Sequence, residues 1–329
     1  MSSDLVIGIA VAAALLFAFT NGFHDTLDLI STAVSSGAAA PQVAIALAAL
    51  LNFLGAFLWI AVATTIVRDL FVVGELTPEV VLAGLLAAIG WNLLTWRLGY
   101  PSSSSHALIG GLVGAALAAA GTNALDGHGL LDRFLLPALA APFVALLAAG
   151  TLVAFAYLLF GRRAPGPVGR GFRNAQVISG GLLAVAHGAN DAQKTAGVIM
   201  LALIAHGSLG ASADPPFWVV LVAAAALALG TYAGGWRTMR ATGTRIIKMD
   251  AAQGFSAQGG GALTILVATA LGFPISTTHA INGGVVGAGT VRRLSAQRWG
   301  IAGNILAAWL LTLPAAAAIG AAVYGLTQI

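Results

Sequence analysis

The sequence predicts an all-α polytopic membrane protein made of two inverted-topology repeats, each with an interrupted helix and a re-entrant or spanning helical hairpin. Three observations carry this expectation: scarce charge, two motifs that recur in the same order, and basic residues confined to a few loops. Only 8% of the 329 residues are charged, while 59% are hydrophobic and the mean hydropathy is +0.93. A water-facing surface needs about a quarter charged residues, so a soluble globular fold is excluded. The absence of cysteine excludes disulfides, thiolate metal sites and thiol nucleophiles. A net charge of +4 does not signal nucleic acid, because the basic residues lie in short loops rather than along one polar face.

A crossing helix takes about 20 apolar residues. Spans are expected at 5–36, 42–67, 79–98, 103–121, 134–160, 175–205, 216–235, 259–272, 276–291 and 299–326. The first is expected to stay in the mature protein rather than serve as a secretory leader, since no Lys or Arg precedes Leu5. The first and sixth are too long for one helix and hold polar clusters, 21–28 and 187–195, where breaks are expected. The fourth and ninth start behind a proline and hydroxyl residues, and the eighth is too short to cross comfortably.

Of the 15 Lys and Arg, four fall in 162–173, four in 237–248 and three in 292–298. The segments 68–77, 122–133 and 206–214 hold only Arg68 and Arg133. The positive-inside rule makes the first group cytoplasmic and the second external. Segments 79–121 and 259–291 must then leave and return on one side, as hairpins, with both termini outside. The domains read as a first repeat over 1–161, a cytoplasmic basic linker over 162–174 and a second repeat over 175–329.

The repeat is visible in the residues themselves. Asn21-Gly22-Phe23-His24-Asp25 is echoed by His187-Gly188-Ala189-Asn190-Asp191 at an offset of 166. Pro101-Ser102-Ser103-Ser104-Ser105-His106 is echoed by Pro274-Ile275-Ser276-Thr277-Thr278-His279 at an offset of 173. Gly110, Gly111 and Gly114 match Gly283, Gly284 and Gly287, and Gly99 matches Gly272. Inverted repeats of this kind build secondary transporters whose site lies near the bilayer midplane, where helix N-termini face an anion.

Asp25 and Asp191 lie inside apolar spans, where a charge costs about 2.5–3.5 kcal/mol and therefore faces a cavity and a partner. With Asn21, Asn190 and carbonyls at the helix breaks, they form an oxygen donor set suited to sodium; a carboxylate can instead carry a proton. Helix capping is the plainer alternative, and the recurrence of the pair at equivalent positions favours function. Three or four consecutive hydroxyls at each hairpin exceed what a helix cap uses. Ser104, Ser105, Thr277 and Thr278 are therefore candidate contacts to an oxyanion. Lys194 aligns with Asp28, and the two are expected to approach across the repeat interface with substrate competing for the lysine; snorkelling is the alternative.

His24, His106, His187 and His279 lie in or beside the motifs without zinc-ligand spacing, and His106 and His279 are expected to brace the hairpin backbone. The glycine stretches suit close helix packing and permit a homodimer, and the tryptophans sit mostly near span ends as interfacial anchors.

Taken together, the four motifs resemble the inorganic phosphate transporter (PiT) family. Asn21–Asp25 looks like its first signature, 187–195 its second, and 101–106 and 274–279 its paired proline–hydroxyl–histidine segments. The resemblance implies uptake of orthophosphate coupled to sodium or protons by an elevator-like or related alternating-access motion, with no cofactor. It places the substrate among Ser103, Ser104, Ser105, Ser276, Thr277, Thr278, Thr26, Gln193, Lys194 and Thr195. Cations fall to Asn21, Asp25, Asp28, Asn190 and Asp191, with sodium at Asp25, Asp191, Asn21 and Asn190. Leu27 and Asp28 depart from the family, which has a small residue and then asparagine there; the extra carboxylate bears on cation stoichiometry and on the anion accepted. Sulfate is the alternative substrate.

A channel would need a continuous polar pore, whereas these clusters gather at two helix pairs. Ser105 and His106 point about 100° apart on a helix and make no catalytic dyad. No nucleotide-binding motif is present.

Overall fold

The computed structural model describes residues 3–100, 102–162, 164–241, 249–291 and 299–328, without the side chains of 27, 28, 165, 235–241 and 299–308. Pro101 and the basic loops 242–248 and 292–298 lie outside the described residues, as does the Asp28 side chain.

Among the described residues the chain is almost wholly helical, its one β-bridge joining Phe71 to Leu125. The elements are α1 (Ser3–Ser35), α2 (Pro41–Gly55), α3 (Ala61–Arg68), α4 (Pro78–Leu98), α5 (Ser104–Ala120), the single turn α6 (Gly127–Gly129) and α7 (Leu136–Phe160). The second half supplies α8 (Pro165–Ala205), α9 (Phe217–Ala241), α10 (Ala251–Ala270), α11 (Thr277–Thr290) and α12 (Trp299–Leu326). A π-helical stretch, Leu130–Leu135, leads from α6 into α7. Among the described residues six helices are long and apolar enough to cross a membrane, which makes this a multi-pass membrane protein.

Helix packing follows the sequence repeat. Hairpin α4–α5 corresponds to α10–α11; each turns through a left-handed glycine, Gly99 at φ 72° and Gly272 at φ 78°. Across the halves, α1 packs on α9 and α8 on α2, while α5 packs on α12 and α11 on α7. The matched glycines make these last contacts close. A Cβ on Gly114 would run into the Ala317 carbonyl of α12, and one on Gly287 into the Leu146 carbonyl of α7. The glycine faces are therefore consumed inside the chain, and the support they lent to a homodimer falls away.

Two apolar cores flank a polar layer. Ala10–Phe17 of α1 and Ala196–Ala202 of α8 belong to one core; Leu29 and Ile30 of α1 and Leu183–Ala186 of α8 belong to the other. The two helices thus traverse the cores in opposite directions, as an inverted repeat requires. Their motifs lie between, at mid-length.

Four expectations need correction. First, α1 and α8 are continuous through 21–28 and 187–195. Asn21, Asp25, Asn190 and Asp191 find side-chain partners on other helices, so the backbone has no need to open for them. The interruption falls instead in the second span, at 56–60 between α2 and α3, where the Ala56 carbonyl receives Gln193 Nε2 at 2.7 Å. Second, the basic linker is mostly helix, because Pro165 starts α8 and its 41 residues run on into the membrane segment. Third, α10 begins before its apolar stretch, at a capping box formed by Asp250 and Gln253, and reaches 20 residues. Fourth, α11, with 14 residues, is too short to cross, whereas α5 runs on through a 3-10 turn to Ala124 and is long enough. At 1.5 Å per residue α11 extends about 21 Å, less than the ~30 Å hydrocarbon core.

Candidate functional site

The site is assembled where the mid-length motifs of α1 and α8 meet the N-terminal tips of α5 and α11. Ser103 and Ser276 cap the two tips, each accepting the backbone N–H three residues on, from His106 at 3.1 Å and His279 at 3.2 Å. The rings of His106 and His279 stack with centroids 4.7 Å apart, and His279 stacks on Trp309 at 3.9 Å. Ser105 Oγ donates to the Ile275 carbonyl at 3.1 Å, so the two tips touch directly.

The hydroxyls beyond the caps reach the aspartate helices. Thr277 Oγ1 donates to Asp191 Oδ2 at 2.9 Å, and Thr278 Oγ1 makes a longer contact of 3.4 Å to Asp25 Oδ1. Ser104 Oγ donates to Asn21 Oδ1 at 2.7 Å. Thr278 thereby engages the signature of the other half, while Ser104 with Asn21 and Thr277 with Asp191 pair within their own halves. His24 Nδ1 lies 2.9 Å from Asp25 Oδ1. His187 Nε2 is 2.8 Å from Asp191 Oδ2 and 3.4 Å from Asp25 Oδ2, while its Nδ1 donates to Asn52 Oδ1 at 3.0 Å. Asp25, His187 and Asp191 place ligand atoms within 4.8 Å of one another, close enough to share one cation.

Lys194 bonds Asp191 Oδ1, Ser105 Oγ and the Ile275 carbonyl. Its partner is thus the carboxylate one turn back on its own helix, an outcome that the expected approach to Asp28 did not include. It does not snorkel, being 1% exposed. Asp25, Asp191 and Lys194 are the buried formal charges among the described residues, and all three belong to this cluster. Asn21, Asp25, Asp191, Ser104, Thr277 and Thr278 are each at most 2% exposed, so the cluster is closed to both sides.

The remaining candidates surround it. Asn190 Nδ2 donates to Thr269 Oγ1 at 2.8 Å and to the Phe273 carbonyl at 3.1 Å; its Oδ1 is buried without a hydrogen-bond partner, as are Gln193 Oε1 and Thr195 Oγ1. Thr26 turns to α9, donating to the carbonyls of Gly22 at 2.7 Å and Thr231 at 2.9 Å.

Three participants were missed in the sequence. Asn52, wholly buried, joins His187 to Thr231, donating from Nδ2 to Thr231 Oγ1 at 2.8 Å. Thr269 holds Asn190. A lone Asn or Thr within an apolar span was the available signal. The bridging place of His187 was signalled by its spacing of four from Asp191, which puts both on one helix face.

Known proteins share this architecture throughout its length. A probable low-affinity inorganic phosphate transporter of Rhizobium meliloti is 46% identical over 325 residues, spanning 98% of this chain and 97% of the relative. One of the same description from Bacillus subtilis is 42% identical, with 95% of each covered. A solved structure described as the sodium-dependent phosphate transporter is similar with a TM-score of 0.86 at 25% identity, covering 98% of this chain and 99% of that one. Residues 21–320 match the phosphate transporter family as a whole, and the chain belongs to that family.

Proposed function

We propose that the protein is a secondary transporter that imports inorganic phosphate together with sodium or protons by alternating access. The single observation that carries the reading is the convergence of two hydroxyl-tipped helix N-termini and two mid-membrane aspartates on one buried cluster. Thr277 and Thr278 donate hydrogen bonds to the very carboxylates assigned to the coupling ion.

That arrangement couples the two ligands. A phosphate oxyanion entering between the tips takes the hydroxyl donors and the free N–H groups of α5 and α11. The carboxylates then lose their hydrogen bonds, each worth about 1.5–3 kcal/mol when one group is charged, and a cation offsets that loss. Neither ligand binds well alone. Asn21, Asn190 and the unpartnered Asn190 Oδ1, Gln193 Oε1 and Thr195 Oγ1 enlarge the oxygen set available for the pair. The opposed passage of α1 and α8 through the cores supports exchange of the site between two sides, with the basic loops inside and both termini outside. Leu139, Phe143, Leu147 and Leu158 on the exposed face of α7 set it against lipid tails.

Phosphate is favoured over sulfate by the same carboxylates. Monohydrogen phosphate keeps an O–H that donates to a carboxylate, and sulfate has none. Sites built around a substrate hydroxyl reject the analogue lacking it by factors of about 10⁴. The relatives above are described as phosphate carriers.

The test is radiolabelled uptake into proteoliposomes, comparing phosphate with sulfate under imposed sodium or proton gradients. Accumulation of phosphate under one gradient is expected. Uptake indifferent to every gradient would remove the coupling, and movement of neither anion would remove transport.

A further inference from the structure

We propose that the Lys194 ammonium is a resident cation filling the second-half ion site, so that the coupling ion is taken by the Asp25 half alone. The inference rests on the reading of Asp25 and Asp191 as cation ligands, and it identifies Lys194 as the residue that sets how many ions move with each phosphate.

An ammonium carries three N–H donors and no acceptor. Around Lys194 Nζ stand a carboxylate oxygen of Asp191, the hydroxyl of Ser105 and the carbonyl of Ile275, one for each donor. Carboxylate, hydroxyl and carbonyl oxygens from three separate segments are also the donor set that holds a hard cation. The charge is fully enclosed, with Lys194 1% and Asp191 0% exposed. No N–H is left over for an oxyanion, so in this arrangement the lysine neutralises Asp191 rather than greeting substrate.

The first half is built differently. Its carboxylate, Asp25, meets His24 at 2.9 Å, His187 at 3.4 Å and Thr278 at 3.4 Å, with no ammonium among them. At the same offset of 166 that pairs Asp191 with Asp25, the residue equivalent to Lys194 is Asp28, an acid. One half of the repeat therefore brings a tethered ammonium, and the other has an acid at the equivalent position. Two equivalent ion sites have become one mobile and one tethered.

The test is the number of sodium ions bound and the charge moved per phosphate. Equilibrium dialysis of the purified full chain with radioactive sodium counts the first. Phosphate accumulation in proteoliposomes against an imposed membrane potential reads the second. In Lys194→Gln, about one further sodium per chain is expected, because an unpaired carboxylate in the membrane interior demands a partner. Sodium activation of uptake turns from hyperbolic to sigmoidal, and each phosphate carries more positive charge. Lys194→Arg is expected to keep the wild-type counts, and adding Asp191→Asn to Lys194→Gln returns the sodium count to wild type. An unchanged sodium count in Lys194→Gln overturns the proposal; where that variant does not transport, dialysis alone decides. Should it not fold, Lys194→Asn, shorter and uncharged, replaces it. Wild-type uptake separates the two readings: a wild-type chain that moves no phosphate under any gradient defeats the transport assignment, whereas the Lys194 inference stands or falls on the difference between variant and wild type.

Discussion

His187 reaches Asp25 across 3.4 Å, joining the second-half signature to the first-half signature 162 residues away. The same Nε2 lies 2.8 Å from Asp191, so one imidazole braces both carboxylates of the cluster. Neither α1 nor α8 completes the site without the other.

Replacing that ring exposes the dependence. In His187→Ala both aspartates lose their shared partner, and leaving a buried polar group unsatisfied costs about 1–3 kcal/mol, more when it is charged. Thermal unfolding in detergent should show the loss, and phosphate uptake should fall with it. Full stability in this variant would show that the bridge holds nothing together.

The two aspartates are equivalent in sequence and unequal in surroundings. Asp191→Asn strands the Lys194 ammonium, and removal of one partner from a buried ion pair costs about 3–5 kcal/mol. Asp25→Asn strands no lysine. Both should abolish gradient-driven uptake, with Asp191→Asn unfolding at the lower temperature. If each variant retains uptake and its gradient dependence, the assignment of cation ligands fails.

Asn52 gives a remote test. Asn52→Ala removes the acceptor for His187 Nδ1 and the donor to Thr231, at about 1 kcal/mol per hydrogen bond. Uptake should weaken through a misplaced imidazole, although Asn52 touches neither Asp25 nor Asp191. Asn52→Asp, which keeps the acceptor, should recover more activity than alanine; equal activity would make Asn52 a packing residue only.

Glycine substitutions separate close packing from mere flexibility. Gly114→Ala and Gly287→Ala drive a methyl into the carbonyls of Ala317 and Leu146, and overpacking of this kind costs about 1–3 kcal/mol. Gly8 and Gly90 have nothing within 4 Å, so alanine there should be neutral or stabilise its helix by up to about 1 kcal/mol. Unfolding temperatures should fall for the first pair and hold or rise for the second.

Much of the architecture was readable from apolar runs. The last span was expected at 299–326 and α12 is Trp299–Leu326; the expected hairpin helices 103–121 and 276–291 differ from α5 and α11 by a residue at each end. Hydropathy suffices here because a helix must satisfy its own backbone within lipid. The expected breaks in α1 and α8 failed for the same reason: Asn21, Asp25, Asn190 and Asp191 find partners on other helices, and a local reading cannot count those partners.

From composition and recurrence alone came the membrane, the repeat and the aspartates and hydroxyls of the cluster, because each is written into a contiguous stretch of residues. Packing settled the rest: which helix breaks, whom Lys194 pairs with, and how Asn52 and His187 tie the halves together. Such choices depend on which oxygen lies nearest once α1, α8 and the two tips are pressed together, a matter of Å between residues up to 253 positions apart.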